Sequence, residues 1–305
     1  MSDSLSPIVS IVMNCYNGER FLREAIDSVY QQGFQDWEII FWDNASTDSS
    51  AEIAQSYDGR VKYHLAPNTT PLGEARNHAL QQARGKYIAF LDCDDLYLPD
   101  KLETQVALME RGGYALSYGS AIMIDETGTA IRKFRVSYAS GNVFGDLLRR
   151  YEINMQSVMI RRDILLAEGL GFEESMMYCP DYNLFMDIAS RHPVGVIIDY
   201  LVKYRIVTNS LSKQTLDIAS SEIRFSLDRI LSANQKLREI YPAQIASAYS
   251  RLHYYDAVAL IHQNNRRGAR NKLKPVMFDA AAFLLLYLVL YLPLPSRLIL
   301  RLLRR

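Results

Sequence analysis

Three cysteines in 305 residues are too few, and odd in number, for a disulfide framework. Net charge is also missing: 34 Lys and Arg balance 34 Asp and Glu, which argues against a polycation and so against a nucleic-acid partner. The stretch from Met1 to Pro7 is polar, without a basic start or an apolar core, so no secretory signal is expected. The body of the chain is accordingly expected in a reducing cytoplasm. No Gly-x-Gly-x-x-Gly follows the first apolar run, which disfavours a dinucleotide dehydrogenase. Internal repeats and low-complexity linkers are absent too. What is present is 49% apolar and 22% charged, the balance of a globular chain able to bury a full core.

Ile8 to Met13 is an apolar run that stops at Asn14-Cys15-Tyr16-Asn17-Gly18, a buried strand followed by a loop. Phe21, Leu22, Ala25, Ile26 and Val29 then share one helical face. Trp37 to Trp42, Val61 to Leu65 and Tyr87 to Leu91 read as further buried strands, with a helix over Ala75 to Ala83. Strands alternating with helices predict an α/β fold with a mainly parallel central sheet flanked by helices. Beyond Pro99 the pattern is mixed. Ala115 to Ile124 and Ala130 to Val136 flank a turn at Asp125-Glu126-Thr127-Gly128. Val143 to Tyr151 and Tyr182 to Ser190 read as helices, Ser157 to Ile160 and Val194 to Ile198 as strands, and Ile218 to His262 as helical throughout.

The polar clusters follow the strands on their C-terminal side, the edge where open α/β sheets bind ligands. Asp92-Cys93-Asp94-Asp95 is the sharpest of them. Three carboxylates in four residues repel one another unless a cation or hydrogen bonds offset them, and hard cations commonly bridge a carboxylate to substrate phosphates. The alternative is a solvated acidic turn or a helix N-cap before Leu96. Asp43-Asn44 closes the second strand in the same way, either to meet the edge of a nucleobase or to form an Asx turn, with Ser46 and Thr47 capping the next helix.

Pro7 to Gly18, Trp42-Asp43-Asn44-Ala45-Ser46-Thr47-Asp48, Gly73-Glu74-Ala75-Arg76-Asn77 and Ala89-Phe90-Leu91-Asp92-Cys93-Asp94-Asp95 together resemble the family 2 glycosyltransferases, in order and spacing, over residues 7–210. The resemblance implies a GT-A fold, a nucleotide-diphosphate-sugar donor, a divalent metal (Mn²⁺ or Mg²⁺) and inversion at the anomeric carbon. It places Asn14, Tyr16, Asp43, Asn44, Arg76 and Asp92 at the donor, with Asn44 at the base, Asp92 at the ribose and Arg76 near the phosphates. Asp94 is placed on the metal with Asp95 supporting it. Many relatives carry Asp-Asp-Gly-Ser where this chain has Asp43-Asn44-Ala45-Ser46, which leaves the choice of base open. The acceptor's base is an acid at a late helix start, here Asp181 in Cys179-Pro180-Asp181-Tyr182; the alternative is a helix-capping acid. Relatives often have a His close to Val207, so Arg205 or Lys203 is expected to replace it at the diphosphate. Cys15, Cys93 and Cys179 each lie inside a motif, either converging around the donor or serving as small buried side chains; a zinc site is not expected.

Residues 266–305 hold nine Arg or Lys against the single acid Asp279, net +8, so the first 265 residues are net −8. Within this tail Ala280 to Leu294 is fifteen residues without a charge, shorter than the roughly 20 a bilayer span needs. Arg297, Arg301, Arg304 and Arg305 follow as one helical stripe. With basic flanks on both sides, an in-plane or re-entrant anchor on an anionic leaflet is expected, at the cytoplasmic face of a membrane; a buried or interface helix is the alternative. The expected organisation is therefore a transferase domain over 1–217, a helical extension over 218–275 and a membrane-associating tail over 276–305. A membrane-bound transferase suggests a lipid-linked saccharide acceptor. Two other functions compete: a nucleotidyltransferase, which would show a Gly-rich, basic phosphate loop after the first strand, and an inactive nucleotide-sugar-binding scaffold, against which the intact acids argue.

Overall fold

A computed structural model describes residues 6–207 and 216–303. They separate into two compact units, 6–144 with 152–207 and 145–151 with 216–303. The expected boundary at 217/218 is adjoined by residues 208–215, outside the described residues, and 218–275 shares one unit with the tail.

The first unit alternates as the periodicity predicts: β1 (Val9–Cys15), α1 (Glu19–Tyr30), β2 (Trp37–Asp43), α2 (Ser50–Gln55), β3 (Val61–Leu65), α3 (Leu72–Gln82) and β4 (Tyr87–Phe90). Leu22, Ala25, Ile26 and Val29 are the buried stripe of α1, and they pack with Ile11, Met13, Ile39 and Phe41 of β1 and β2. Then come β5 (Leu96–Tyr97), α4 (Lys101–Gly112), β6 (Leu116–Ile124), β7 (Ala130–Phe134), β8 (Met159–Arg161), α6 (Arg162–Glu168), α7 (Pro180–Arg191) and β9 (Val194–Arg205); α5 (Phe144–Arg149), between β7 and β8 in the chain, falls in the second unit from Gly145 on. Among the described residues nine strands form one sheet, in the order β3-β2-β1-β4-β8-β6-β9-β5, with β7 on β6. β3, β2, β1 and β4 are parallel, as are β6 and β9. β8 enters antiparallel between β4 and β6, and β5 lies antiparallel on β9, so the second half of the sheet is mixed. The expected hairpin is present, with Gly128 in its turn at φ 84°.

The second unit is helical: α8 (Ala219–Ala233), α9 (Lys236–Ile240), α10 (Pro242–His262), α11 (Arg266–Leu273), α12 (Ala281–Val289) and α13 (Ser296–Leu303). The continuous helix expected over 218–262 is interrupted at Asn234 and again at Tyr241. Pro242 accounts for the second break, because a proline disfavours helical backbone in the residue before it and fits the first helical turn. The Arg251 side chain of α10 donates to the carbonyl oxygens of Leu148 and Arg149 within the same unit.

Candidate active site

Strand order positions the site. The chain runs outward from β1 to β2 and β3, then returns to place β4 on the other side of β1. The loops leaving β1 and β4 therefore stand where the strand order reverses, at the sheet's C-terminal edge, the place where open α/β sheets hold ligands. Those loops are 16–18 and 91–95, two of the stretches singled out in the sequence.

The first loop is clamped to the one after β2. Asn17, at φ 54°, donates its backbone N–H to Ser46 Oγ (3.0 Å), and its Oδ1 accepts the Thr47 N–H (2.8 Å). The N–H groups of Gly18 and Glu19 reach Ser50 Oγ (3.0 Å) and Asp48 Oδ2 (2.9 Å). Asp43 is fully buried and accepts from Ser46 N–H and the Tyr63 hydroxyl, both at 2.8 Å. Asn44, also buried, donates to the Thr70 carbonyl (2.8 Å) and accepts the Thr70 N–H (3.1 Å). The resemblance sends Asp43 and Asn44 to the donor; in the structure both also hold the frame, their buried polar atoms pairing with neighbouring groups. Tyr16, by contrast, presents an exposed ring at the rim, and Asn14 Nδ2 is buried with no hydrogen-bond partner among the described residues.

Asp92 is held on three sides. Arg76 Nη2 donates to its Oδ1 (3.1 Å), Gln156 Nε2 to its Oδ2 (2.6 Å), and the Asp92 N–H reaches Gln156 Oε1 (2.9 Å). The Arg76 guanidinium lies 5.5 Å from the centre of the Phe172 ring. Phe172 is set in turn by Asn77, whose amide donates to the Phe172 carbonyl (2.9 Å) and accepts the Phe172 N–H (2.8 Å). One turn earlier, a Cβ on Gly73 would stand 2.4 Å from the Glu173 carbonyl oxygen, so only glycine lets that backbone pass. The motif Gly73 to Asn77 is thus a seat for residues 171–174. Asn77→Ala removes both bonds and is expected to speed hydrogen exchange at Phe172 about 5- to 150-fold, for a loss of about 1–3 kcal/mol. Unchanged exchange there would refute the seat.

Asp94 and Asp95 part ways. Burial and the charge of Asp92 push the Asp94 carboxyl up to about 6, with Arg205 pulling weakly the other way. Asp95 is buried and its Oδ1 accepts the Arg205 N–H at 2.6 Å; burial, then Asp94 and Asp92, hold its carboxyl well above the usual range. Arg205 is itself buried, with Nε on the Asp94 carbonyl (2.9 Å), Nη1 on the Glu126 carbonyl (3.3 Å), Nη2 on Glu24 (2.9 Å) and its guanidinium 4.3 Å from the Phe21 ring centre. Asp95 and Arg205, expected to support the metal and to bind the diphosphate, together pin the acidic loop to the end of β9. The same β5–β9 pairing brings in Tyr204, whose phenol is raised by burial and by the charges of Asp95, Asp92, Asp94 and Asp181.

Among the described residues no group of three His, Cys, Asp or Glu could hold a metal alone. Asp94 nevertheless fits one. It is a half-buried carboxylate destabilised by a like charge, and Mg²⁺ or Mn²⁺ is commonly held by one or two carboxylates while phosphates and water complete the shell.

Asp181 stands in the first turn of α7, after Cys179 and Pro180. Burial raises its carboxyl; Arg76 and the backbone N–H groups of Asp181 and Tyr182 oppose that, and Asp92 adds to it. Arg76, Asp92, Asp94, Asp181 and Tyr204 are therefore electrostatic neighbours, although they come from four separate stretches of chain. Gln156, Phe172 and Tyr204 were not foreseen from sequence; Tyr204 adjoins the Arg205 already singled out. Of the three cysteines, Cys15 and Cys93 meet across Gly18 and share a hydrogen bond that lowers the Cys15 thiol, whereas Cys179 is the N-cap of α7.

Comparison with known proteins gives the same fold. The family model described as glycosyl transferase family 2 matches residues 10–165. The chain is 28% identical over 211 residues to the Escherichia coli UDP-Glc:alpha-D-GlcNAc-diphosphoundecaprenol beta-1,3-glucosyltransferase WfgD, covering 67% of this chain and 79% of that one. It is 29% identical over 216 residues to the putative teichuronic acid biosynthesis glycosyltransferase TuaG of Bacillus subtilis, covering 68% and 82%. An uncharacterized glycosyltransferase of Rickettsia felis is 37% identical over 200 residues, but that match spans 33% of the relative's length and 65% of this chain. Among solved structures, S. aureus TarS 1-349 in complex with UDP-GlcNAc superposes with TM-score 0.59 at 16% identity, covering 83% of each chain. The mannosyltransferase PcManGT of Pyrobaculum calidifontis, in complex with GDP-Man and Mn²⁺, does so with TM-score 0.60 at 18% identity, covering 96% of this chain and 83% of that one.

Proposed function

The chain belongs to glycosyl transferase family 2, and from that premise we propose that it moves a sugar, with inversion, from a nucleotide-diphosphate donor to a hydroxyl of a lipid-linked saccharide. The observation that carries the proposal is the grouping of Arg76, Asp92 and Asp181, with Asp94 beside them, at the C-terminal edge of the sheet where β1 and β4 meet. The printed names of WfgD and PcManGT, with their nucleotide-sugar donors and the diphosphoundecaprenol acceptor, support the substrate classes.

In this reading the bond from the anomeric carbon to the diphosphate oxygen breaks, and its electron pair leaves on the diphosphate. The acceptor oxygen bonds to the opposite face of the same carbon, and its proton passes to the Asp181 carboxylate. Asp92 and Phe172 hold Arg76 in one place, so a fixed positive charge lies beside the reacting groups and needs no reorganisation. The same charge opposes the rise that burial imposes on the Asp181 carboxyl. A divalent cation on Asp94, when bound, supplies positive charge where the diphosphate's negative charge grows. Tyr16 and Asn14 offer the donor an exposed ring and an unpaired amide.

The test is release of nucleoside diphosphate from a panel of UDP-, GDP- and dTDP-sugars, with and without Mn²⁺ or Mg²⁺, using full-length protein and lipid-linked acceptors. Metal-dependent turnover of one donor is the expected result. Donor binding without turnover on any acceptor would favour the inactive scaffold instead.

A further inference from the structure

The second unit carries an apolar surface that its own core leaves uncovered. Phe283, Leu286 and Leu290 of the α12 segment are buried with Ala257 and Ile261 of α10, Leu273 of α11 and Ile299 of α13. A surface helix ordinarily turns polar residues outward on the face opposite such a stripe. α12 has no charged residue to turn, and its one polar group is the Tyr287 hydroxyl, paired with that of Tyr291: its nine residues are Ala281-Ala282-Phe283-Leu284-Leu285-Leu286-Tyr287-Leu288-Val289. Leu285 (64% exposed) and Leu288 face out, Phe278 (77% exposed) precedes them, and Tyr291, Leu292 and Leu298 follow, all exposed. Contiguous apolar surface of this kind marks a binding face.

Its surroundings identify the occupant. The basic residues are built into the rim of the patch. Arg266 donates to the carbonyls of Leu290 (2.7 Å) and Leu294 (3.1 Å), Arg270 donates to Leu290 (3.1 Å), and the Arg270 guanidinium lies 4.5 Å from the Tyr291 ring centre. Arg267, Lys274 and Arg297 are exposed. The one acid of the segment, Asp279, accepts from Ser250 Oγ. A second copy of the chain is a poor match, because a two-fold interface would set this basic rim against itself. At about 1.5 Å per residue α12 is about half the thickness of a bilayer core, and among the described residues no helix is long and apolar enough to cross a membrane.

We infer that residues 278–298 form a monotopic docking surface for an anionic lipid bilayer, with Phe278, Leu285, Leu288 and Leu292 entering the acyl boundary and Arg267, Arg270, Lys274 and Arg297 meeting lipid phosphates. It is a property of the second unit and stands whether or not the acceptor is lipid-linked. Helices of this kind bind by buried apolar area together with attraction to anionic headgroups, and both must contribute.

Flotation of full-length protein with vesicles tests it. Binding is expected to vesicles of phosphatidylglycerol with phosphatidylcholine and to be much weaker with phosphatidylcholine alone. Leu285→Gln with Leu288→Gln and Leu292→Gln is expected to abolish flotation, with the unfolding temperature unchanged because these side chains lie outside the core. Arg267→Gln, Lys274→Gln and Arg297→Gln are each expected to weaken the anionic binding about fivefold, equivalent to about 1 kcal/mol per charge. Flotation retained by the leucine variant would overturn the inference. So would absence of vesicle binding together with a dimer that the same variant dissociates, which would assign the face to a second copy.

Discussion

Asp181→Asn is expected to slow sugar transfer about 10²–10⁴-fold, the usual contribution of a positioned acid or base, while leaving donor affinity unchanged. The pH profile makes the test specific. A base acts deprotonated, so the wild-type rate falls as pH drops through its pKa. Burial raises the Asp181 carboxyl, so the acid limb should lie above the ordinary carboxylate range, and it should vanish in the variant. The competing role is structural: an acid in the first turn of α7 favours the helix through its dipole by about 0.3–1 kcal/mol. That role predicts a lower unfolding temperature and an unchanged rate. Transfer at the wild-type rate with an intact acid limb would remove Asp181 as the base. The structure adds a second expectation. Because the Arg76 charge opposes the burial of Asp181, Arg76→Gln should move the acid limb to higher pH as well as slow the reaction.

The part of this site that could be read directly from the chain is the part built on buried parallel strands. Apolar runs ending in Asn14, Asp43 and Asp92 gave β1, β2 and β4 to within a residue or two at each end, because strands covered on both faces leave no other residue types. Residues fixed by distant pairing were not legible. Gln156 reaches Asp92 only because β8 enters the sheet antiparallel beside β4, and Tyr204 only because β5 lies on β9. Nor does residue type reveal which way a polar side chain turns. Asn44 and Arg205 look like ligand-binding groups, but Thr70 and the acidic loop occupy them. α4 is missed for a related reason: its buried face includes Lys101, whose ammonium lies 4.1 Å from the Tyr97 ring centre, and Gln105, which donates to the Ser157 carbonyl at 2.9 Å. Polar residues buried inside the core interrupt the period that marks a helix.

Asp94→Asn is expected to lower metal-supported transfer about a thousandfold, equivalent to about 4 kcal/mol, and to abolish saturable Mn²⁺ binding measured by calorimetry with nucleoside diphosphate present. Position in the fold separates it from its neighbour. Asp95 meets the Arg205 N–H in the interior, so Asp95→Ala strands a buried donor and should lower stability by about 1–3 kcal/mol with little change in metal affinity for the protein that remains folded. Protons supply the check. Without a cation the Asp94 carboxyl titrates near 6, and protons and metal compete for its ionised form. As pH falls through that value the concentration of Mn²⁺ needed for half-maximal transfer should rise, by up to tenfold per pH unit below it, whereas above pH 7 it should be flat. Equal metal affinity in wild type and Asp94→Asn would move the cation elsewhere in the site. A steep pH dependence lost specifically in Asp94→Asn would tie it to this carboxylate, because Asp92 is already engaged by Arg76 and Gln156.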